Sequence, residues 1–315
     1  MPSAKVGAMV DSLGQSCGLL QKVCICRCRW IFVLQVTALL LSVSPLRAQD
    51  QSPVQNSAQG TSNSQQGSAP SDEELAKEAK NPFADLIQVQ VGNDFGFGGD
   101  TGSRLQYDMT VQPIIPIKIN DGWNLITRST FSVISVPESD SGTGRITGAS
   151  DLLTEFYFSP DKQTPFIWGF GPVLGIPTAS NTSLGTGKWT LGPAFAIIKQ
   201  TEHWQYGVVV YHSWSIAGNK DRGRVSSTYL QPALYYTWGA GWTLGLDAES
   251  TYDSNAARGE RWTVPVQASI SKVTKFLGQP VSLSLGVIPY ADAPAGSPSI
   301  AVNFTMALLF PRKGR

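Results

Sequence analysis

The sequence predicts an all-β protein: a transmembrane, antiparallel up-and-down β-barrel of about twelve strands, with short periplasmic turns and longer extracellular loops. Three observations predict it. From Leu86 to Phe310 apolar residues alternate with small or polar ones, the period-two pattern of strands with two unlike faces. The connections between the alternating segments are short and long by turns, as in barrels of bacterial outer membranes. Aromatic residues gather near both ends of the segments, mostly in phase with the apolar side, as interfacial girdles do. The composition agrees. There are 31 Gly, nine Trp and nine Tyr in 315 residues, and a mean hydropathy of −0.06 is too low for a bundle of membrane helices.

The chain divides into three parts. In residues 1–48, Lys22, Arg27 and Arg29 precede the apolar run Trp30–Leu41 and a small-residue exit ending at Ala48. That is the layout of a secretory signal, with a signal anchor as the alternative. The basic region is long enough to admit a start at Met9. All four cysteines (17, 24, 26 and 28) fall in this part, so the exported chain has no disulfides to rely on. Cys24-x-Cys26-x-Cys28 lacks the spacers and the His partners of a zinc site. Beyond residue 48 the balance is 19 basic against 22 acidic residues. With no basic block, nucleic acid is not an expected partner. Residues 49–80 are a polar Gln/Ser/Asn linker followed by a short periplasmic helix. The helix opens at Ser71-Asp-Glu-Glu74, which suits a cap and first turn, and stops before Asn81-Pro82.

Residues 81–311 form the barrel. The alternation sets strands near 86–95, 103–119, 123–136, 149–159, 165–177, 188–199, 204–216, 225–238, 242–252, 261–273, 280–290 and 299–310. Most reach the ~9–11 residues that a tilted membrane strand requires. Trp123, Trp168, Trp204, Trp238, Trp242 and Phe310 lie beside short turns. Trp189, Trp214, Trp262, Phe95, Tyr252 and Tyr290 lie beside long loops. Two such bands rim a face turned to outer-membrane lipid, whereas a soluble barrel or sandwich would bury its apolar face. The opposite face then lines the lumen with Asp108, Lys118, Arg128, Glu155, Asp247 and Glu249. Two readings of these charges stay open. They form a selectivity lining, or they pair across a narrow lumen and brace the wall.

With those segments placed, particular stretches carry a resemblance. They include Asn81-Pro-Phe-Ala-Asp-Leu-Ile87, Trp168-Gly-Phe-Gly-Pro172 with Pro177-Thr-Ala179, and Leu184-Gly-Thr-Gly-Lys-Trp-Thr-Leu-Gly-Pro193. Trp214-Ser-Ile-Ala-Gly218, Leu230-Gln-Pro232, Trp262-Thr-Val-Pro265 and Leu309-Phe-Pro311 follow in order. The chain resembles the "MetA-pathway of phenol degradation" type of bacterial outer-membrane barrel, a transporter family sometimes called neuromedin-U-like. The resemblance implies a barrel in the outer membrane of a Gram-negative bacterium and a transport role. It carries over no catalytic or substrate residues. Ala233, expected to point inward, departs from the bulkier residue that the resemblance implies.

Enzyme chemistry finds little support. Leu184-Gly-Thr-Gly-Lys188 fails the phosphate-loop pattern at Thr182 and Trp189. His212 and Ser213, as strand neighbours, point to opposite faces and cannot form a local nucleophile–base pair. His203 and His212 are the only histidines, and no metal, cofactor or catalytic group is expected. The expected function is an outer-membrane channel or transporter that passes small solutes, hydrophobic or aromatic compounds among them, by passive diffusion. The alternative is a closed barrel acting as a surface binding or structural protein. The expected partners are lipid, a small solute, and the barrel-assembly machinery through the last strand, which ends at Phe310.

Overall fold

The computed structural model describes residues 70–99, 104–138, 144–161 and 164–312. The predicted signal segment and nearly all of the polar linker lie outside them. Among the described residues, one helix, α1 (Asp72–Ala79), precedes fourteen strand segments. These are β1 (Leu86–Phe97), β2 (Gln106–Asn120), β3 (Trp123–Pro137), β4 (Arg145–Ala149), β5 (Leu152–Pro160), β6 (Phe166–Ile176) and β7 (Lys188–Gln200). β8 (Trp204–Gly218), β9 (Ser226–Trp238), β10 (Trp242–Ala248), β11 (Ser250–Asp253), β12 (Trp262–Phe276), β13 (Gln279–Asp292) and β14 (Ile300–Pro311) complete the set.

The segments make twelve staves. β4 and β5 together form one, since both pair with β3. β10 and β11 form another, because the register against β9 runs unbroken through Glu249, from Asp247 opposite Ala233 to Ser250 opposite Leu230. Each stave pairs antiparallel with its sequence neighbours. β1 then pairs with β14 from Leu86 opposite Pro311 to Phe97 opposite Ile300, which closes the barrel. The protein is a closed, twelve-stranded, antiparallel up-and-down barrel, as its alternation predicts.

The stave bounds follow the side-chain period. β2, β3, β8 and β12 run 15 residues each, and all four are long enough to span hydrocarbon at a tilt. Along β13, Leu283, Leu285 and Val287 are exposed on the outside while Ser282, Ser284 and Ile288 are buried on the inside. β12 runs further than its alternation suggests, because Leu277 adopts φ 51° and lets a two-residue Leu277-Gly278 turn follow Phe276.

A bulge divides β4 from β5. Val133 faces Ala149, but Thr130 faces Leu153, so one extra residue sits at Ser150-Asp151. The bulge turns the Asp151 carboxylate toward the following long loop. It accepts hydrogen bonds from Ala179 N (3.1 Å), Thr186 N (2.7 Å) and Thr186 Oγ1 (2.8 Å). Arg222 clamps the same loop by donating to the carbonyls of Gly185 (2.6 Å) and Thr186 (3.3 Å). The Gly-rich stretch that superficially suggested a phosphate loop is therefore part of a loop clasp.

Helix α1 forms for local reasons. The Ser71 hydroxyl accepts the Glu74 N–H at 3.2 Å, and the Glu74 carboxylate accepts the Ser71 N–H at 2.8 Å, a complete capping box. These bonds hold the Glu74 carboxyl below its ordinary pKa. The location of the helix is not a local matter. Leu75 and Ala76 are buried against Leu86, Val273, Ala307 and Leu309, which lie on the inner wall. The helix is docked inside the short-turn end of the barrel.

Wall closure leaves no room at some glycines. A Cβ on Gly192 of β7 would lie 1.6 Å from the His212 carbonyl oxygen of β8, a backbone atom with nowhere to go. Gly192→Ala is expected to lower the yield of folded barrel sharply, read as loss of the heat-modifiable band after refolding in detergent.

Candidate functional site: the lumen and its floor

The lumen holds a cavity of about 490 Å³, within the size range of small-molecule sites. Among the described residues its lining includes five carboxylates, Asp94, Asp108, Glu155, Asp247 and Glu249, and two basic groups, Lys80 and Arg128. Five of the six charged residues assigned to the lumen from sequence thus come together. Lys118 does not join them. It shares the inward phase, but at the short-turn rim, where its ammonium pairs with Asp121 at 3.2 Å and Asp161 at 3.7 Å.

The two halves of the wall differ in chemistry. On the β3–β9 side, Ile126, Tyr157, Val173, Ala194, Ala196, Val209 and Tyr229 form an apolar cluster with Ile114 at its edge. Tyr211 stacks on Tyr229 with ring centroids 4.7 Å apart and planes within 10°. One ion pair is set into this half. Arg128 donates from Nε to Glu155 Oε1 at 3.0 Å, and the Tyr157 hydroxyl donates to the other Glu155 oxygen. Arg128 Nη1 also reaches Gln231 Oε1 at 3.3 Å, and Gln231 Nε2 reaches Glu249 at 3.2 Å. Arg128 is therefore a brace between staves, its charge matched by Glu155.

The other half, from β10 through β14 to β2, is polar. Gln267 Nε2 donates to Asn303 Oδ1 at 3.2 Å, and Asn303 Nδ2 donates to Asp94 Oδ1 at 2.6 Å. Gly286 of β13 lies beneath this bridge, and a Cβ there would sit 3.0 Å from Gln267 Nε2. Asp94 stands directly opposite Asp108 in the β1–β2 register. Like charges in that position disfavour the sheet, and Thr110 is hydrogen-bonded to Asp108 at 3.3 Å. Asp94 carries the same inward phase as Gln88 and Gln90, so the alternation of β1 could have added it to the lumen set.

The floor comes from the segment after α1. Asn81 Nδ2 donates to Gln200 Oε1 at 3.3 Å, and Gln205 Nε2 donates to the Lys80 carbonyl. Phe83 packs edge-on against Tyr157 at 5.9 Å. Gly169 opposite leaves the space for that ring, since a Cβ there would lie 2.5 Å from Phe83 Cε1. Lys80 extends its ammonium over the Tyr235 ring, 5.2 Å from the centroid. Burial pushes the Lys80 pKa down, while Asp247 opposes that shift. No pattern in the sequence marks Lys80, Phe83 or Gln205 as lumen residues of one site.

Of the aromatic residues assigned to the outer rims, Trp123, Trp168, Trp189, Trp204, Trp214, Trp242 and Trp262 are exposed. Trp238 is half-buried and stacks on Trp242 at 6.5 Å, and Phe310 is half-buried in phase with exposed Phe304. Tyr290 is a correction. It follows the inward phase of Ser284 and Ile288 and lines the cavity. His212 faces outward beside Trp214, and its ring nitrogens meet Thr228 Oγ1 at 2.7 Å and Ser226 Oγ at 3.3 Å. These cross-strand hydroxyls satisfy the imidazole. Ala233 faces the cavity, as its phase requires.

No protein-family model matches the chain, and no curated protein matches it. Solved structures do. An outer membrane channel from Pseudomonas putida F1 shares 16% identity over 71% of this chain and 94% of its own, with a TM-score of 0.53. The NanC porin shares 11% identity over 71% of this chain and 98% of its own, with a TM-score of 0.47. What the first likeness establishes is the barrel fold.

Arg128→Ala would leave Glu155, 1% exposed, as an unpaired buried charge. Breaking such a pair costs about 3–5 kcal/mol. Urea denaturation should show that loss for Arg128→Ala, and most of it should be recovered in Arg128→Met/Glu155→Gln.

Proposed function

We propose that the chain is an outer-membrane channel of a Gram-negative bacterium that passes small solutes by passive diffusion through the barrel lumen. The observation that carries the reading is the cavity of about 490 Å³, lined by ionisable and amide side chains and enclosed by a wall whose outer face is apolar. Charges of both signs are costly toward hydrocarbon and suit a water-filled lumen. The exposed Trp bands match lipid interfaces on this reading. Short turns then face the periplasm, α1 and Phe83 stand at the periplasmic mouth, and the clasped loop faces outward. Phe310 ends the strand that the assembly machinery would read. Likeness to an outer membrane channel supports this role, and the resemblance to the phenol-degradation type suggests hydrophobic or aromatic solutes.

A specific observation favours the second reading, a closed barrel. The apolar cluster around Tyr157 and Val173 fills part of the lumen, and Phe83 docks on it from the floor. The two readings separate in planar bilayers. The refolded mature chain is expected to give discrete conductance steps, and removal of residues 71–85 is expected to raise unit conductance several-fold. A heat-modifiable barrel that stays silent with and without this segment would establish the closed reading.

A further inference from the structure

We propose that the lumen cavity selects small organic cations, an ammonium head carried on an apolar or aromatic body. The inference rests on the lumen being the solute path, and it names the class of solute.

Charge comes first. Arg128 is matched by Glu155 in the wall at 3.0 Å and does not offer a free positive charge to a solute. Lys80 faces Asp247. Asp94 and Asp108 then remain in the cavity lining without an ion-pair partner among the described residues and stand opposite one another on adjacent strands, while Glu249, tied to Arg128 only through Gln231, adds a further carboxylate. Repulsion of that kind is relieved by a cation.

Shape of the chemistry comes second. The cavity is two-sided, with carboxylates and amides on β10–β2 and the stacked Tyr211–Tyr229 pair with its aliphatic neighbours on the other half. A bare metal ion would use only the first side. An amine with an apolar body uses both, its ammonium on the carboxylates and its aromatic or aliphatic body against the Tyr211–Tyr229 side.

Two independent features point the same way. The chain already places one alkylammonium in the cavity: the Lys80 head lies 5.2 Å over the Tyr235 ring, with Asp247 as its charge partner. Gln205, 5% exposed in the cavity wall, keeps its Oε1 without a hydrogen-bond partner among the described residues. A buried acceptor left in this way requires a donor, and an ammonium brings three.

The test uses the refolded full chain in detergent micelles, titrated calorimetrically with 2-phenylethylammonium chloride and with sodium phenylacetate, the matched anion. Saturable binding of the amine is expected, with no binding of the acid. Asp247→Asn/Glu249→Gln and, separately, Asp94→Asn/Asp108→Asn should each weaken the amine at least tenfold while keeping the heat-modifiable band. The second pair removes opposed like charges, so it is expected to fold. Absence of amine binding, equal binding of the acid, or affinity unchanged in both variants would overturn the proposal. Bilayer recordings keep the two readings apart. Anion-selective reversal potentials would overturn the cation inference and leave the channel standing. A barrel that binds the amine yet stays silent would overturn the channel and leave the cation site.

Discussion

Pairing of the first stave with the last is the constraint on which the remaining structure depends. Until Leu86–Phe97 meets Ile300–Pro311, two rows of backbone N–H and C=O groups have no partner in the wall. Once they meet, every stave has two neighbours and every side chain has only two directions to choose from. Outward residues form the apolar outer face, and inward residues share a confined volume. The same pairing places Asp94 opposite Asn303, while the neighbouring β1–β2 ladder places it opposite Asp108. The lumen chemistry is thus a consequence of the wall and is not an addition to it.

The confined lumen is divided into two chemically unlike halves. Its β3–β9 half behaves like the core of a soluble domain, with Ile126, Tyr157 and Val173 almost fully buried and one ion pair whose partners are both withdrawn from water. Such a pair contributes little net stability against an apolar replacement but a large penalty when half of it is removed. Its charges therefore act on the shape of the wall more than on the field within it. The opposite half keeps its carboxylates in the cavity, tied by amides instead of cations. Of the two sequence readings of the lumen charges, bracing describes Arg128 and Glu155, while a selectivity lining remains a reading for Asp108, Asp247 and Glu249.

Strand positions and faces were legible because a barrel stave is long, regular and two-sided, so that a period of two repeats many times in each. The bounds of β3, β9 and β14 agree with the alternation to within a residue or two. Tyr290 lies beside a long loop yet shares the phase of Ser284 and Ile288, and phase decides its face. Lys118 had the right phase, but depth along the stave, which phase does not encode, put it beside Asp121 and Asp161. The capping box of α1 was written in four residues. Its docking was not, because the surfaces that receive it, Leu86, Val273, Ala307 and Leu309, come from three staves at both ends of the barrel sequence.

The floor shows why a barrel with a readable wall can have an unreadable interior. Phe83 reaches Tyr157 only because Gly169 leaves a gap on the adjacent stave, and Lys80 reaches Tyr235 only because Gln205 holds its carbonyl. Each contact joins the segment before the barrel to a stave more than seventy residues away, with no periodic signal linking the two. The floor segment closes no backbone ladder, so closure of the wall does not require it to be in place. Its hold comes from a few buried apolar side chains and a handful of hydrogen bonds, which belong to the low-stability end of local unfolding. A wall fixed by twelve ladders and a floor fixed by side chains are therefore mechanically separable, and on the proposed channel reading a solute path needs only the weaker of the two to yield.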